Sequence, residues 1–102
     1  RMRPTGLFAC NDLMALGAMR AALSLGLRVP EDLSIVGFDN LEMAQYTNPP
    51  LTTIDHSAEL LGRRAAEMIL ARITNPDLPQ QHQTIDLKLL IRQSTSPLEK
   101  TR

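Results

Sequence analysis

The fold of this chain is decided by residues 7–40, LFACNDLMALGAMRAALSLGLRVPEDLSIVGFDN. Residues 7–10 form a continuous apolar run, as expected for a strand covered on both faces, and residues 33–38 form a second run. Between them, residues 13–25 have the apolar spacing of a helix, and Gly26 and Pro30 stand where helices commonly end. A strand, a helix and a strand within roughly 30 residues make one βαβ unit. The sequence therefore predicts an α/β fold with two parallel strands.

Both predicted strands end in a pair of polar residues, Asn11 and Asp12 after the first strand and Asp39 and Asn40 after the second. In open parallel sheets, ligands bind outside the carboxyl ends of the strands, so these side chains should converge on one edge. A carboxylate accepts hydrogen bonds, and an amide both donates and accepts them. This combination suits a small polyhydroxylated or heterocyclic ligand better than a phosphate, since no glycine-rich phosphate loop accompanies it.

Simpler explanations exist for each of these polar residues. Asn11 or Asp12 could cap the helix, because a short side-chain oxygen accepts a bond from the first turn, and Asp12 is favoured over Asn11 as the cap. Asp39 could belong to a simple turn that ends the strand. Its pairing with Asn11 on the same edge nevertheless favours a binding site. A role for Asp39 as a catalytic base lacks residues that would orient and assist it.

Four other residues are placed by the same reasoning. Cys10 is predicted to be a small buried residue rather than a nucleophile, because no histidine lies near it in the sequence. His56 follows a predicted strand and precedes a helix, so it either faces the same edge or is a solvated loop residue, which is the commoner case. Thr53 and Thr95 are distant in the sequence from that edge and are expected to lie outside the site.

The first predicted helix carries apolar residues on two sides. One side is expected to cover the sheet and consists of Met14, Ala18, Ala21, Ala22 and Leu25. Almost opposite lies a second stripe, which consists of Leu16, Met19 and Leu23. Either other parts of the same protein cover this stripe, or it forms a subunit interface.

The second half of the chain predicts a strand at residues 51–54, a helix at residues 58–73, a last strand at residues 84–91 and a surface tail at residues 94–102. Ser57 is a suitable cap for the helix. The helix has one apolar face, formed by Ala58, Leu61, Gly62, Ala65, Met68, Ile69 and Ile73. Contiguous apolar stripes are usually covered, so we expect this face to fold back on the chain's own strands or to pair with a neighbouring molecule.

Composition excludes several functions. The chain has 11 basic and 11 acidic residues without a block of either sign, so it lacks the charge footprint of a nucleic-acid binder. Its single cysteine excludes an internal disulfide and fits a reducing compartment, which makes the cytoplasm the default location. No apolar run approaches the roughly 20 residues that span a bilayer, so no membrane contact is expected. No metal or cofactor motif is evident.

Several segments together resemble the carboxyl-terminal part of regulators of the lactose-repressor/galactose-repressor family. They are FACNDLMALGAMRAALSLGLRVPEDLSIVGFDN, NPPLTTID, LGRRAAEMILARI and LIRQSTSP, in the family's order and spacing. The resemblance implies a fold like that of periplasmic sugar-binding proteins, in which two α/β subdomains close around a small effector. It also implies a separate helix-turn-helix domain that binds operator DNA as part of a dimer.

The resemblance assigns roles to individual residues. The family's effector-binding residues fall on Asn11, Asp12 and Asp39. A glutamine often found in the family is replaced here by His56, which leaves that position as a residue near the effector without an assigned contact. Subunit pairing in the family falls on Leu16, Met19, Leu23 and Tyr46.

The sequence thus predicts that residues 1–102 are the carboxyl-terminal part of the effector-binding core of such a regulator, with no DNA-binding domain. The expected partners are a small sugar or nucleoside-type effector, a second or further copy of the protein, and operator DNA only through a headpiece outside this chain. The chain is expected to be a cytoplasmic protein without enzymatic activity, cofactor or metal. The alternative is a periplasmic solute-binding protein of a sugar transporter, which shares the fold.

Overall fold

The computed structural model describes residues 3–99. In chain order, its elements are β1 (Gly6–Phe8), α1 (Asp12–Ser24), β2 (Ser34–Val36), a short 3-10 helix (Glu42–Gln45), β3 (Thr53–Asp55), α2 (Ala58–Thr74) and β4 (Lys88–Leu90). The strand, helix and strand predicted within residues 7–40 are confirmed as β1, α1 and β2. The last three residues of the predicted surface tail, 100–102, lie outside the described part.

The strands pair in two small groups. β1 and β2 are parallel, with Gly6 opposite Ser34, as the βαβ unit predicts. Val36 at the end of β2 continues this arrangement through a parallel bridge to Thr52. β3 then pairs with β4 in the antiparallel direction, with Thr53 opposite Leu90. The residues at the start of β3 therefore join the two pairs and lie beside the end of β2.

The first strand differs from its prediction in length and burial. β1 ends at Phe8, and Cys10, which was predicted to be buried, is exposed. Leu7 and Phe8 are also exposed, so the strand is not covered on both faces. Among the described residues β1 has β2 as its only partner strand. The apolar run therefore predicted the position of the strand correctly, but the prediction that both faces of the strand are covered is wrong.

The packed face of helix α1 includes Ala22 and the partly buried Ala18, as predicted, but is otherwise rotated from the predicted face. Ala15, Met19 and Ala22 are buried against the sheet, whereas Met14 and Leu25, predicted to cover it, are exposed. Met19 retains only 8% of its exposure, so it borders the stripe of Leu16 and Leu23 but belongs mainly to the core of its own chain. The core also contains Ala9, Leu33, Ile35, Ala44 and Leu51. The rotation follows from the first helical residue, Asp12, which is buried and brings the residues three, seven and ten positions later onto the same side.

The segment after β4 closes the core. Ser94 is fully buried, so the prediction that a surface tail begins there is wrong. Its hydroxyl donates to the carbonyl of Ile35 at 2.6 Å and accepts from the Thr52 amide at 2.8 Å. The Ile35 amide donates to the Ser94 carbonyl at 2.9 Å. Through its hydroxyl and its backbone carbonyl, Ser94 thus joins β2 and the start of β3 to the segment after β4.

Helix α2 stands apart from this core. No residue of α2 is buried, and its apolar residues Leu61, Ile69 and Ile73 are exposed. Of the two expected arrangements, folding back on the chain's own strands therefore does not occur, and pairing with a neighbouring molecule stays a prediction. Ser57 precedes α2 but makes no side-chain cap bond, contrary to prediction; instead its amide donates to Asp55 Oδ1 at 2.8 Å. The radius of gyration is 18.6 Å, against about 13 Å for a compact domain of this size.

Along residues 3–99, neither α-helix combines the length and apolar content needed to cross a bilayer.

A substitution at Gly37 tests the packing between α1 and the end of β2. A Cβ atom there would collide with Asp12 Oδ1 and lie 3.0 Å from Leu51 Cδ2, so Gly37→Ala should lower the free energy of unfolding by about 1–3 kcal/mol. Gly17→Ala is the control, because no atom lies within 4 Å of the added Cβ and alanine favours the helix by about 0.5–1 kcal/mol. Urea unfolding measures both. Equal stability of the two variants would contradict this packing.

Candidate functional site

The candidate site lies at the carboxyl ends of the strands. Asn11 and Asp12 follow β1, Asp39 and Asn40 follow β2, and His56 follows β3. The parallel pairing of β1 and β2 brings the first two pairs to one edge, as predicted. The amide of Asp12 donates to the Phe38 carbonyl at 2.9 Å, so the two strand ends are in direct contact.

Asp12 is an internal residue of this edge. Its side chain is fully buried; Oδ1 accepts from the Thr53 hydroxyl at 2.6 Å and Oδ2 accepts from the Leu41 amide at 2.7 Å. As the first residue of α1 it also lies at the helix end that favours negative charge. The prediction that Asp12 contacts an effector is therefore wrong, because protein groups bind both oxygens. Thr53 was expected to lie away from this edge, but its hydroxyl contacts Asp12 and the Asn40 amide; because the residue is fully buried, it still lies beneath the edge rather than in contact with a ligand.

Asn11 caps helix α1. Its Oδ1 accepts from the Met14 amide at 2.8 Å, so the preference for Asp12 as the cap is wrong. The cap uses only the oxygen of the amide, and among residues 3–99 no hydrogen bond engages its nitrogen. Asn11 is half-buried at the edge. It can therefore cap the helix and still offer an N–H donor to a ligand.

The Asp39 and Asn40 backbone has an unusual conformation. Their φ angles are 127° and 56°, a region that residues other than glycine rarely occupy, and such strain persists only where neighbouring contacts fix it. The Asp39 amide donates to the Ile54 carbonyl at 3.0 Å, and the Asn40 amide donates to the Thr53 hydroxyl at 3.4 Å. The Asp39 side chain remains 35% exposed. The turn thus presents a carboxylate at the surface on a fixed backbone.

Arg92 was missed in the sequence. It follows β4, and its guanidinium donates to the Asn40 side-chain oxygen and to the Leu51 carbonyl, both at 2.9 Å. Its amide donates to the Thr52 hydroxyl at 2.9 Å. The only signal was a single arginine at the end of an apolar run, and its meaning depends on the antiparallel pairing that brings this end beside the turn.

His56 lies at the same edge rather than in solvent. Its Nε2 is 3.1 Å from Asp39 Oδ1, and its side chain is 23% exposed. The ring stacks on Phe38 with a centroid distance of 5.5 Å and an angle of 15° between the ring planes. Of the four residues predicted at or near the site, the structure therefore places Asn11, Asp39 and His56 where a ligand can reach the edge, and Asp12 beneath it.

The predicted interface residues line two separate pockets, one with Leu16, Met19 and Leu23 and the other with Tyr46. Leu16 is half-buried, while Leu23 and Tyr46 are each 75% exposed. Leu16 and Leu23 line a groove of about 590 Å³ together with Leu27, Val29 and Pro49. Met19 also borders the groove, but it contributes to the core of its own chain. The exposed part of the predicted stripe is therefore Leu16 and Leu23.

Comparison with known proteins agrees with this architecture. The sequence profile of periplasmic binding protein-like domains matches residues 1–95. The HTH-type transcriptional repressor PurR of Haemophilus influenzae strain PittEE is 49% identical over 98 residues, which cover 93% of this chain and 29% of that repressor. The ribose operon repressor of Haemophilus influenzae is 41% identical over 97 residues, which cover 95% of this chain and 29% of that protein. The chain thus spans less than a third of the length of these relatives.

Solved structures give the same result. A LacI family transcriptional regulator from Enterococcus faecalis V583 with bound ribose matches with a TM-score of 0.91 and 41% identity, over 97% of this chain and 37% of that one. The lac repressor dimer bound to operator and the anti-inducer ONPF matches with a TM-score of 0.82 and 39% identity, over 90% of this chain and 32% of that one.

The fold and its polar edge define a periplasmic binding protein-like domain, and the chain belongs to that family. The more particular resemblance predicted from the sequence, to the effector-binding core of lactose-repressor/galactose-repressor regulators, is confirmed by these relatives and structures.

Proposed function

We propose that this chain is the effector-binding and dimerising part of a DNA-binding transcriptional regulator, usually a repressor. The observation that carries the proposal is the partly exposed Asp39 carboxylate on a strained turn at the carboxyl ends of two parallel strands. The names of the similar proteins, which are repressors, support a regulator over a solute-binding protein of a transporter. Their regulator names also favour a binding role over an enzymatic one and a location in the cytoplasm.

The effector class follows from the side chains that are free to bind. Asp39 can accept hydroxyl or N–H donors, and the Asn11 amide nitrogen can donate in return. A neutral polyhydroxylated sugar or a nucleoside-type ligand satisfies both groups. An anionic phosphate is disfavoured, because it would face the Asp39 carboxylate, which carries a charge of the same sign.

The fixed turn also explains how such a site gains affinity. A side chain that is already held in its binding geometry loses less conformational freedom when the ligand binds. Three contacts hold the turn: the Ile54 carbonyl, the Thr53 hydroxyl and the Arg92 guanidinium. The strain in the backbone of Asp39 and Asn40, about 1–3 kcal/mol for each residue, is thus offset within the folded protein before any ligand arrives.

Asp39→Asn tests the effector site in the intact regulator. A charge-assisted hydrogen bond contributes about 1.5–3 kcal/mol, so the substitution should weaken binding of D-ribose at least about tenfold while operator binding is kept. Isothermal titration calorimetry measures the sugar affinity. Asp86→Asn is the matched control, because Asp86 is an exposed carboxylate in the loop before β4. Unchanged affinity in the Asp39 variant would remove this residue from the site.

We also propose that the regulator pairs through the groove that carries Leu16 and Leu23, with Tyr46, which lines a separate pocket, as a further contact. Contiguous apolar side chains of this kind are usually covered in a folded protein. A two-fold axis would place the same groove on both subunits, so each would contribute its leucines to the other. Contact with operator DNA we assign to a headpiece outside residues 1–102, because this chain has equal numbers of acidic and basic residues.

Replacing both Leu16 and Leu23 with lysine tests this interface. The change removes apolar area and sets like charges against each other across the axis, so the dissociation constant of the dimer should rise at least about 100-fold. Sedimentation of the intact regulator measures the change. Leu98→Lys, at another exposed leucine, is the control and should leave the dimer unchanged. A double variant that remains as dimeric as the control would show that the subunits meet elsewhere.

A further inference from the structure

The carboxylate of Asp39 is held at one oxygen and left open at the other. The His56 Nε2 atom lies 3.1 Å from Asp39 Oδ1, and since a carboxylate only accepts hydrogen bonds, this nitrogen is the donor. Among residues 3–99, no group donates to the second oxygen, Oδ2, and the Asp39 side chain is 35% exposed. The protein therefore binds Oδ1 itself, and Oδ2 is open to a ligand.

The orientation of this carboxylate depends on such a contact. The strained backbone fixes where the Asp39 side chain begins, but the torsion angle of its carboxylate group, χ2, has only a broad intrinsic preference. Without a directed bond, the plane of the carboxylate would turn over a wide range, and a ligand would have to order it on binding. Donation from His56 to Oδ1 sets this plane and thereby the direction of Oδ2.

The imidazole of His56 is itself held in place, so it can orient another side chain. The Asp39 amide donates to the Ile54 carbonyl at 3.0 Å, which joins the turn to β3 close to His56 in the chain. The imidazole ring stacks on Phe38 with a centroid distance of 5.5 Å and an angle of 15° between the ring planes. Its other nitrogen, Nδ1, has no hydrogen-bond partner in the described part of the chain. The bond to Asp39 is therefore the one directed polar contact that the ring makes there.

We propose that His56 is a positioning residue that orients the Asp39 carboxylate, so that Oδ2 is presented to a hydroxyl or N–H donor of the effector. This inference rests on the proposed function of the edge. His56 needs no contact with the effector for this role, because it acts through Asp39. The role differs from that of Phe38, which contacts the imidazole but has no polar atom with which to orient a carboxylate.

The alternative role of His56 is packing against Phe38 alone, and two substitutions separate the two roles. His56→Gln keeps an N–H donor and loses the aromatic stack, whereas His56→Phe keeps a ring for the stack and loses the donor. Glutamine is also the residue that often stands at this position in the lactose-repressor/galactose-repressor family. His56→Leu loses both features and is not bulkier than histidine, so it shows whether the phenylalanine variant is only overcrowded. His82 lies exposed in the loop after α2, which makes His82→Phe the matched control.

Isothermal titration calorimetry of the intact regulator with D-ribose measures the effect on binding. His56→Phe and His56→Leu should each weaken binding about fivefold, because the ligand must then order the carboxylate, while His56→Gln and His82→Phe should change it by less than about twofold. In the Asp39→Ala background, His56→Phe should have no further effect, since no carboxylate remains to be oriented. Affinity that is kept in His56→Phe but lost in His56→Gln would show that the ring stack is what matters and would overturn the proposal.

The same titrations separate this inference from the proposed function. If Asp39→Asn leaves the ribose affinity unchanged, the proposed site is wrong and the positioning role fails with it. If Asp39→Asn weakens binding but all three His56 variants bind ribose as tightly as the unmodified regulator, only the positioning role is wrong.

Crystal structures of the effector-free regulator test the orientation without a ligand. The Asp39 carboxylate should keep one orientation in the His56→Gln variant, because the donor to Oδ1 is retained. In the His56→Leu variant it should take a different orientation or several. A single, unchanged orientation in the His56→Leu variant would overturn the proposal whether or not the regulator binds ribose.

Discussion

The buried carboxylate of Asp12 is the interaction on which the rest of the structure depends. It accepts the Thr53 hydroxyl at 2.6 Å and the Leu41 amide at 2.7 Å, and thereby joins α1, the turn after β2 and the start of β3. Gly37 lies against it, where no larger residue fits without displacing the carboxylate. Removal of the Asp12 carboxylate would leave two donors, the Thr53 hydroxyl and the Leu41 amide, without an acceptor. Each buried donor without an acceptor lowers the stability by about 1–3 kcal/mol. The helix, the turn and the strand are therefore fixed together.

The binding edge inherits its geometry from this contact. The Asn40 amide reaches the same Thr53 hydroxyl that donates to Asp12, so the strained turn is connected to the buried carboxylate through one side chain. Arg92 supports the turn from the opposite strand pair. Two aspartates that look alike in the sequence therefore have different roles: the buried Asp12 fixes the edge, and the partly exposed Asp39 remains available to a ligand.

The sequence predicted the features that depend on local pattern. The apolar runs located the βαβ unit, and the rule for parallel strands brought Asn11 and Asp39 to one edge. The failures concern packing between distant segments. Which face of α1 is buried depends on the site occupied by Asp12, and periodicity did not assign Met19 mainly to the core because both stripes are apolar. Arg92 became recognisable only when the antiparallel pairing of β4 brought it beside the turn, and no local signal indicates that Cys10 lies beyond the end of its strand.

Amide hydrogen exchange at Leu41 tests the central claim most directly, because this amide donates to the buried Asp12 carboxylate. If Asp12 fixes the edge, the Leu41 amide should exchange as slowly as the Ile35 amide, which donates to the Ser94 carbonyl in the core. Both amides should then exchange through the same unfolding event. Exchange of Leu41 at the fast rate of an exposed loop amide such as that of Gln81 would contradict the account, since the turn that carries Asp39 would then open independently of the core.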